Sequence, residues 1–361
     1  MLSIQTPTLL LNEDICRANI RRMADKAAAQ KVQFRPHFKT HQSLKVGVWF
    51  RDVGVSAITV SSLEMAAYFA ADGWDDITVA FPVNIREMAT INRLAEKISL
   101  NLLVVDPASI GILNQQLTAE VGYFIKIDSG YHRTGLEPHE TTLIDSILTR
   151  AGPYLRFRGF LTHAGHTYGA SSAAEALALH RESRHRMQPL RRRYVKEYPQ
   201  LIISVGDTPG CSLAADFADI DEIRPGNFVF YDVMQYQLGS CKLSDIAVAL
   251  AVPVVALHPQ RHQIVVYGGG VHLSKEWIPA TDGLRNYGLV CRLDARGWSS
   301  ALDGTLVRSL SQEHGCITAS LQVISSLHVG DLVAVLPIHS CMTAQCMGGY
   351  TTLRGKVIDH G

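Results

Sequence analysis

The sequence carries almost no net charge. Its 361 residues hold 34 basic against 33 acidic side chains, and charged residues make up only 19%. Nucleic-acid binding draws on a basic stripe and a markedly basic balance, so no nucleic-acid partner is expected. Although 47% of the side chains are hydrophobic, no apolar run approaches the roughly 20 residues that span a bilayer, and no membrane partner is expected either. The N-terminal MLSIQTPTLLLNEDIC lacks the basic start and long apolar stretch of a secretory signal. Seven cysteines, at 16, 211, 241, 291, 316, 341 and 346, form no CxxC pair and are odd in number. Reduced thiols in a cytoplasmic setting are therefore expected. A GxGxxG after the first strand-like run is also missing, which argues against a dinucleotide-binding sheet.

What is present is an alternation. Short β-branched or apolar runs recur at 32–39, 56–60, 76–81, 100–106, 122–128, 155–163, 201–206 and 221–230. Helical spacing fills the gaps. Ile15, Ala18, Ile20, Met23 and Ala27 line one side of the first helix, with Asn12 as its N-cap. Eight strands alternating with helices predict an α/β fold, a TIM-like (β/α)8 barrel over residues 10–240. Beyond about residue 240 the runs VALAVPVVALHPQRHQIVVYGGG, GLVCRLD, GCITASLQVI, DLVAVLP and TLRGKVID are separated by Gly, Asp and Pro turns. They predict a C-terminal β-domain over 241–361. The run SIQTPTLLL ahead of the first helix suits either part and is assigned, as residues 1–9, to the β-domain.

The chemistry concentrates at predicted strand ends, which in a barrel face one common site. RPHFKTH (35–41) places Arg35, His37, Lys39 and His41 at the first of them. A lysine in that company, partly desolvated, is suited to form a Schiff base or to shuttle protons. Later strand ends carry DSGYHRTG (128–135), THAGHTYG (162–169), SVGDTPG (204–210) and IRPGNFVFYD (223–232). Small residues, hydroxyls and free backbone N–H groups there build an anion cradle, and barrels commonly bind phosphate after strands seven and eight. An amine opposite a phosphate cradle points to pyridoxal 5'-phosphate.

These motifs, with YGGGVHLSKE and PIHSCMT, run in an order that resembles the D-serine dehydratase/D-threonine aldolase group. That group belongs to the alanine-racemase-like, fold-type III pyridoxal-phosphate enzymes. The resemblance implies that Lys39 links covalently to the cofactor and moves protons at the substrate α-carbon. It implies that His163 lies against the pyridine ring and that Arg133 approaches the phenolic oxygen. Arg224 sits in a motif whose arginine meets the ring nitrogen in the racemases, and Tyr168 competes for that place. Thr208 and the backbone N–H groups of Gly226 and Asn227 would hold the phosphate. Arg35, Lys39, Arg133 and Arg224 would together surround the cofactor. A homodimer is implied as well.

His339 and Cys341 follow the run DLVAVLP. In an extended segment residues i and i+2 point the same way, and a thiolate with an imidazole selects a borderline-soft divalent metal, zinc first and manganese next. On spacing alone, a buried thiol and a hydrogen-bonded histidine account for the pair; the resemblance to metal-dependent dehydratases and aldolases makes it a metal site. In that group a cysteine as second ligand resembles the zinc-dependent dehydratases, and an aspartate the aldolases. The implied activity is a lyase that dehydrates a β-hydroxy-D-amino acid such as D-serine to an α-keto acid and ammonia. The alternatives are aldol cleavage to glycine and an aldehyde, as in a D-threonine aldolase, and a 3-hydroxyaspartate dehydratase. A racemase is disfavoured because Tyr267 in VYGGGVHLSKE poorly matches the second base of those enzymes. A non-catalytic cofactor carrier is disfavoured by the C-terminal domain.

Overall fold

The computed structural model describes residues 3–294 and 296–361. The chain forms two compact units, one of Arg21–Gly226 and one that joins the segment through Ile20 to Asn227–Gly361.

In the first unit eight strands lie side by side in the order Gln33–Phe34, Glu222–Ile223, Ile202–Val205, Leu155–Leu161, Val121–Lys126, Ser99–Val104, Asp76–Pro82 and Ala57–Val60. Each neighbouring pair is parallel. A bridge between His37 and Thr59 brings the two ends together. Phe38 N–H donates to the Thr59 carbonyl at 2.8 Å, and Thr59 N–H donates to the Pro36 carbonyl at 2.9 Å. The sheet is thus a nearly closed, TIM-like barrel, as the alternation predicts. All four residues of Ala57–Val60 are buried, as befits parallel strands covered on both faces.

Two strands are shorter than their runs. The first stops at Phe34 and the last at Ile223, because Pro36 and Pro225 have no N–H to continue a ladder. The first helix spans Glu13–Ala29, and Asn12 accepts the Ile15 N–H as expected. Its buried stripe runs through Cys16, Ile20, Met23 and Ala27, whereas Ala18 faces out. At about 100° per residue, Ala18 lies off the stripe that those four share.

The barrel encloses a buried ion network. Arg35 Nε donates to Glu222 at 2.6 Å, while its two terminal nitrogens grip both oxygens of Asp76 at 2.7 and 3.0 Å. The other Glu222 oxygen accepts from Ser204 Oγ at 2.6 Å, and that hydroxyl accepts from Arg224 Nε at 2.6 Å. Arg35 and Glu222 are essentially shut off from water. Arg35 is therefore a structural residue and takes no place in the expected cationic ring about a cofactor.

The second unit is built on a nine-stranded sheet. Strand Val248–His258 pairs with Gln263–Tyr267 on one edge and with Leu332–Pro337 and Thr8–Leu11 elsewhere along its length. Those pairings close part of the sheet into a ring. Thr8–Leu11 also runs parallel to Gly349–Thr352, so the N-terminal run builds this unit. Two details differ from the sequence pattern. LQVI is a short helix, Leu321–Ile324, with Ser320 as its cap. A 14-residue strand, Gly297–Leu310, goes unannounced, since its polar and glycine-broken sequence hides the alternation. All seven cysteines are free thiols.

Replacing Glu222 with Gln leaves two buried guanidinium groups under-compensated. Urea denaturation of Glu222→Gln is expected to show a loss of about 3–5 kcal/mol, the scale for breaking one partner of a buried pair; a change under about 1 kcal/mol would contradict the role assigned to the network.

Candidate active site

The RPHFKTH turn is set by what it buries. Phe38 packs against Phe50 and Phe69 at 4.9 Å and meets Trp74 edge-on at 5.1 Å. Thr40 and His41 are buried beside it, which leaves Lys39 exposed at the top of the turn. The expected desolvation of Lys39 is not seen. The Lys39 backbone N–H donates to His37 Nδ1 at 3.4 Å, so this imidazole is an acceptor at the foot of the turn.

Burial pulls His37 well below the ordinary imidazole value, and the charges of Lys39, Arg224 and Arg133 push it the same way. His163 behaves alike: burial and then Lys39 hold it neutral. Its Nδ1 contacts the Gly206 carbonyl, which can only accept, so the proton sits on Nδ1 and Nε2 keeps its lone pair. Tyr131 meets His163 edge-on at 5.8 Å, and the Arg133 guanidinium lies 5.0 Å over the Tyr131 ring. Gly165 permits this arrangement, because a Cβ there would stand 2.4 Å from the Tyr131 ring.

Arg224 is buried and donates to the Thr162 carbonyl at 2.5 Å as well as to Ser204. Burial lowers its pKa to about 10. The Tyr168 hydroxyl accepts the Thr208 N–H at 3.2 Å, so it points to the start of the Thr208–Leu213 helix. Asp207 caps that helix through Gly210 N–H at 2.6 Å and meets His180 at 3.1 Å. Asp128 ties the DSGYHRTG loop by accepting three backbone N–H groups, from Gly130, Tyr131 and His132.

Lys39, Arg133, His163, Tyr168, Thr208, Arg224 and Gly226 all belong to loops or residues after barrel strands. The fit to a phosphorylated cofactor rests on unmet donors. Thr208 Oγ1 is buried without a hydrogen-bond partner among the described residues. Gly226 and Asn227 N–H groups likewise donate to no protein acceptor there. A Cβ on Gly226 would lie 2.8 Å from the His37 carbonyl, so only glycine lets this loop approach the lysine turn. Sequence reasoning passed over Lys126, a buried lysine at a strand end whose amine donates to the Ile127 carbonyl at 2.8 Å. Burial lowers its pKa to about 7. The His180–Asp207 pair was missed too, since a lone histidine in a long polar helix carries no local signal.

His339 and Cys341 are brought together, but not by strand alternation. Pro337 ends its strand, His339 becomes the N-cap of the Ser340–Met347 helix, and Cys341 lies in the first turn. The positive end of a helix favours a thiolate there. Burial would lower His339, but Cys341 and Asp232 outweigh it and hold the imidazole well above its ordinary value. An imidazole backed by a buried carboxylate and set beside a half-exposed thiol fits a divalent metal site. Asp128, His132 and Glu137 also cluster. However, Asp128 Oδ1 is spent on backbone N–H groups and His132 is exposed.

A parallel barrel with a cradle for an anion and a lysine turn beside it, in a chain with a separate β unit, defines the fold-type III enzymes. Residues 11–233 match the family described as Alanine racemase, N-terminal domain, and the chain belongs to it. Residues 247–353 match a serine dehydratase domain. The chain is 28% identical to the D-serine dehydratase of Dictyostelium discoideum, over 96% of this chain and 93% of that protein. It is 29% identical to the D-threo-3-hydroxyaspartate dehydratase of Delftia sp. (strain HT23), over 98% and 95%. A solved D-threo-3-hydroxyaspartate dehydratase, a cysteine-to-alanine variant in its metal-free form, superposes with a TM-score of 0.90 at 26% identity, covering 99% of this chain and 98% of that one.

The two neutral histidines set an acid limit. Their folded values lie below the unfolded value of about 6.5, so the unfolded chain binds more protons as pH falls through that value and stability is lost on the acid side. NMR of the imidazoles is expected to show His37 and His163 silent between about pH 6 and 8, and His163→Gln to flatten the acid loss; a His163 titration inside that window would contradict the burial argument.

Proposed function

We propose that the protein is a pyridoxal-phosphate- and metal-dependent lyase that dehydrates a β-hydroxy-D-amino acid, such as D-serine, to an α-keto acid and ammonia. The carrying observation is the donor pair at the head of the Ser340–Met347 helix, whose second member is Cys341 and not an aspartate. Both relatives named above are dehydratases over nearly their whole length, which supports the same choice. Thiolate and imidazole together favour zinc over manganese.

When bound, pyridoxal phosphate supplies an electron sink for the α-carbon, and the metal supplies Lewis acidity toward an oxygen leaving group. The residues do the rest. The exposed amine of Lys39 would hold the cofactor and move the α-proton. His163, neutral and fixed by Gly206, would lie beside the cofactor without adding charge. Arg133 would serve the phenolic oxygen, and Thr208, Gly226 and Asn227 would receive the phosphate through their unmet donors. Arg224, held by Ser204 and Thr162, would be the residue for the ring nitrogen; the Tyr168 hydroxyl, turned to Thr208, supports that choice. A fixed guanidinium at that nitrogen would discourage its protonation and so weaken the electron sink. The site residues rest on the family resemblance together with this geometry, and the homodimer on the resemblance alone.

A product assay on D-serine, D-threonine and D-threo-3-hydroxyaspartate, with and without chelator, tests the reading. Keto acid plus ammonia, lost on chelation, is expected. Glycine plus an aldehyde would replace dehydration with aldol cleavage, and chelator-insensitive turnover would remove the metal. Lys39→Ala is expected to lose the near-visible absorbance of cofactor-supplemented protein and to drop turnover at least about 100-fold, the lower scale for a positioned proton-transfer group.

A further inference from the structure

We infer that Asp232 is the positioning residue for His339: it holds the imidazole by Nδ1–H and leaves Nε2 as the nitrogen that meets the ion. The inference rests on the reading of His339 and Cys341 as metal ligands.

His339 Nδ1 is buried without a hydrogen-bond partner, yet it stands only 3.4 Å from Asp232 Oδ2. Asp232 is fully buried, and its orientation is over-determined. Oδ2 accepts from Asn227 Nδ2 at 2.6 Å and from Ser340 N–H at 3.0 Å, with Ser340 Oγ at 3.4 Å; Oδ1 accepts from Gln235 N–H at 2.9 Å. The carboxylate is thereby fixed in orientation, with Oδ2 facing His339 Nδ1 as an acceptor for its N–H. Metal-ligating histidines almost always donate their second ring N–H to such a group, which fixes tautomer and ring orientation.

The same carboxylate reaches the thiol indirectly. Asn227 Nδ2, anchored on Asp232, lies 3.6 Å from Cys341 Sγ. A donor there favours the thiolate form that a metal requires. One buried carboxylate thus organises both ligands, directly for His339 and through Asn227 for Cys341. Nothing in the local sequence announces this, because Asp232 lies more than a hundred positions from the pair and serves visibly as the N-cap of Val233–Gln237.

The full-length, metal-stripped protein is titrated with Zn2+ against a chromophoric chelator, and with Co2+ to read ligand geometry by absorption. Asp232→Asn keeps the helix cap, since asparagine caps as well as aspartate. It is expected to bind Zn2+ about 10–100-fold more weakly and to shift the Co2+ bands. In the zinc-loaded wild type, 15N NMR is expected to show His339 protonated at Nδ1 and coordinated at Nε2, a readout that decides the question even where the variant does not fold. Wild-type affinity and spectrum in Asp232→Asn, or coordination through Nδ1, overturns the inference while the metal site stands. Unchanged Zn2+ affinity in both His339→Ala and Cys341→Ser removes the metal reading itself, and this inference with it.

Discussion

The barrel depends on one buried carboxylate. Glu222 belongs to a strand of two residues, between another two-residue strand and Ile202–Val205. So few ladder bonds leave this edge weakly held by backbone alone. A charge withdrawn from water is tolerated only when paired and hydrogen-bonded, and Glu222 meets that demand by binding Arg35 on one oxygen and Ser204 on the other. Arg35 carries the network across to Asp76. Three strands and the segment after the first are thereby tied where the barrel closes.

The same network places the chemistry. Arg224 follows Glu222 by two positions, the strand period that returns a side chain to one face, and Ser204 holds both. The Arg224 charge, with those of Lys39 and Arg133, bears on His37, and half-buried imidazoles in that company stay neutral. Cationic groups, neutral rings and unmet donors make one end of the barrel suited to a phosphate-bearing, ring-shaped ligand. The second unit solves a different problem. There a helix begins at a histidine, carries a thiol in its first turn and backs onto a carboxylate that caps one helix and faces the histidine at the head of another.

Much of this was legible locally. The eight strand runs, the cap at Asn12 and the β-rich second half follow from periodicity and punctuation, because hydrophobic spacing and capping act over a few residues. The lysine turn, the glycine of RPGN and the His–Cys pair were visible as motifs. Other features were not. Pro36 and Pro225 shorten strands whose apolar runs continue past them, and the polar strand Gly297–Leu310 is held by its neighbours more than by its own pattern. His339 and Cys341 stand at a helix start, where the sequence suggests an extended segment.

The charge balance and the odd, unpaired cysteines were the first facts of the sequence. By itself the sequence determined the fold class and the residue types able to hold a cofactor and a metal, since these depend on composition and short-range order. Only the tertiary structure decided what each charge is for. It withdrew Arg35 into the barrel, exposed Lys39, kept His37 and His163 neutral and set Asp232 behind His339. Those outcomes depend on burial and on partners far away along the chain, and burial, which fixes the cost of every charge, exists only once the chain has folded.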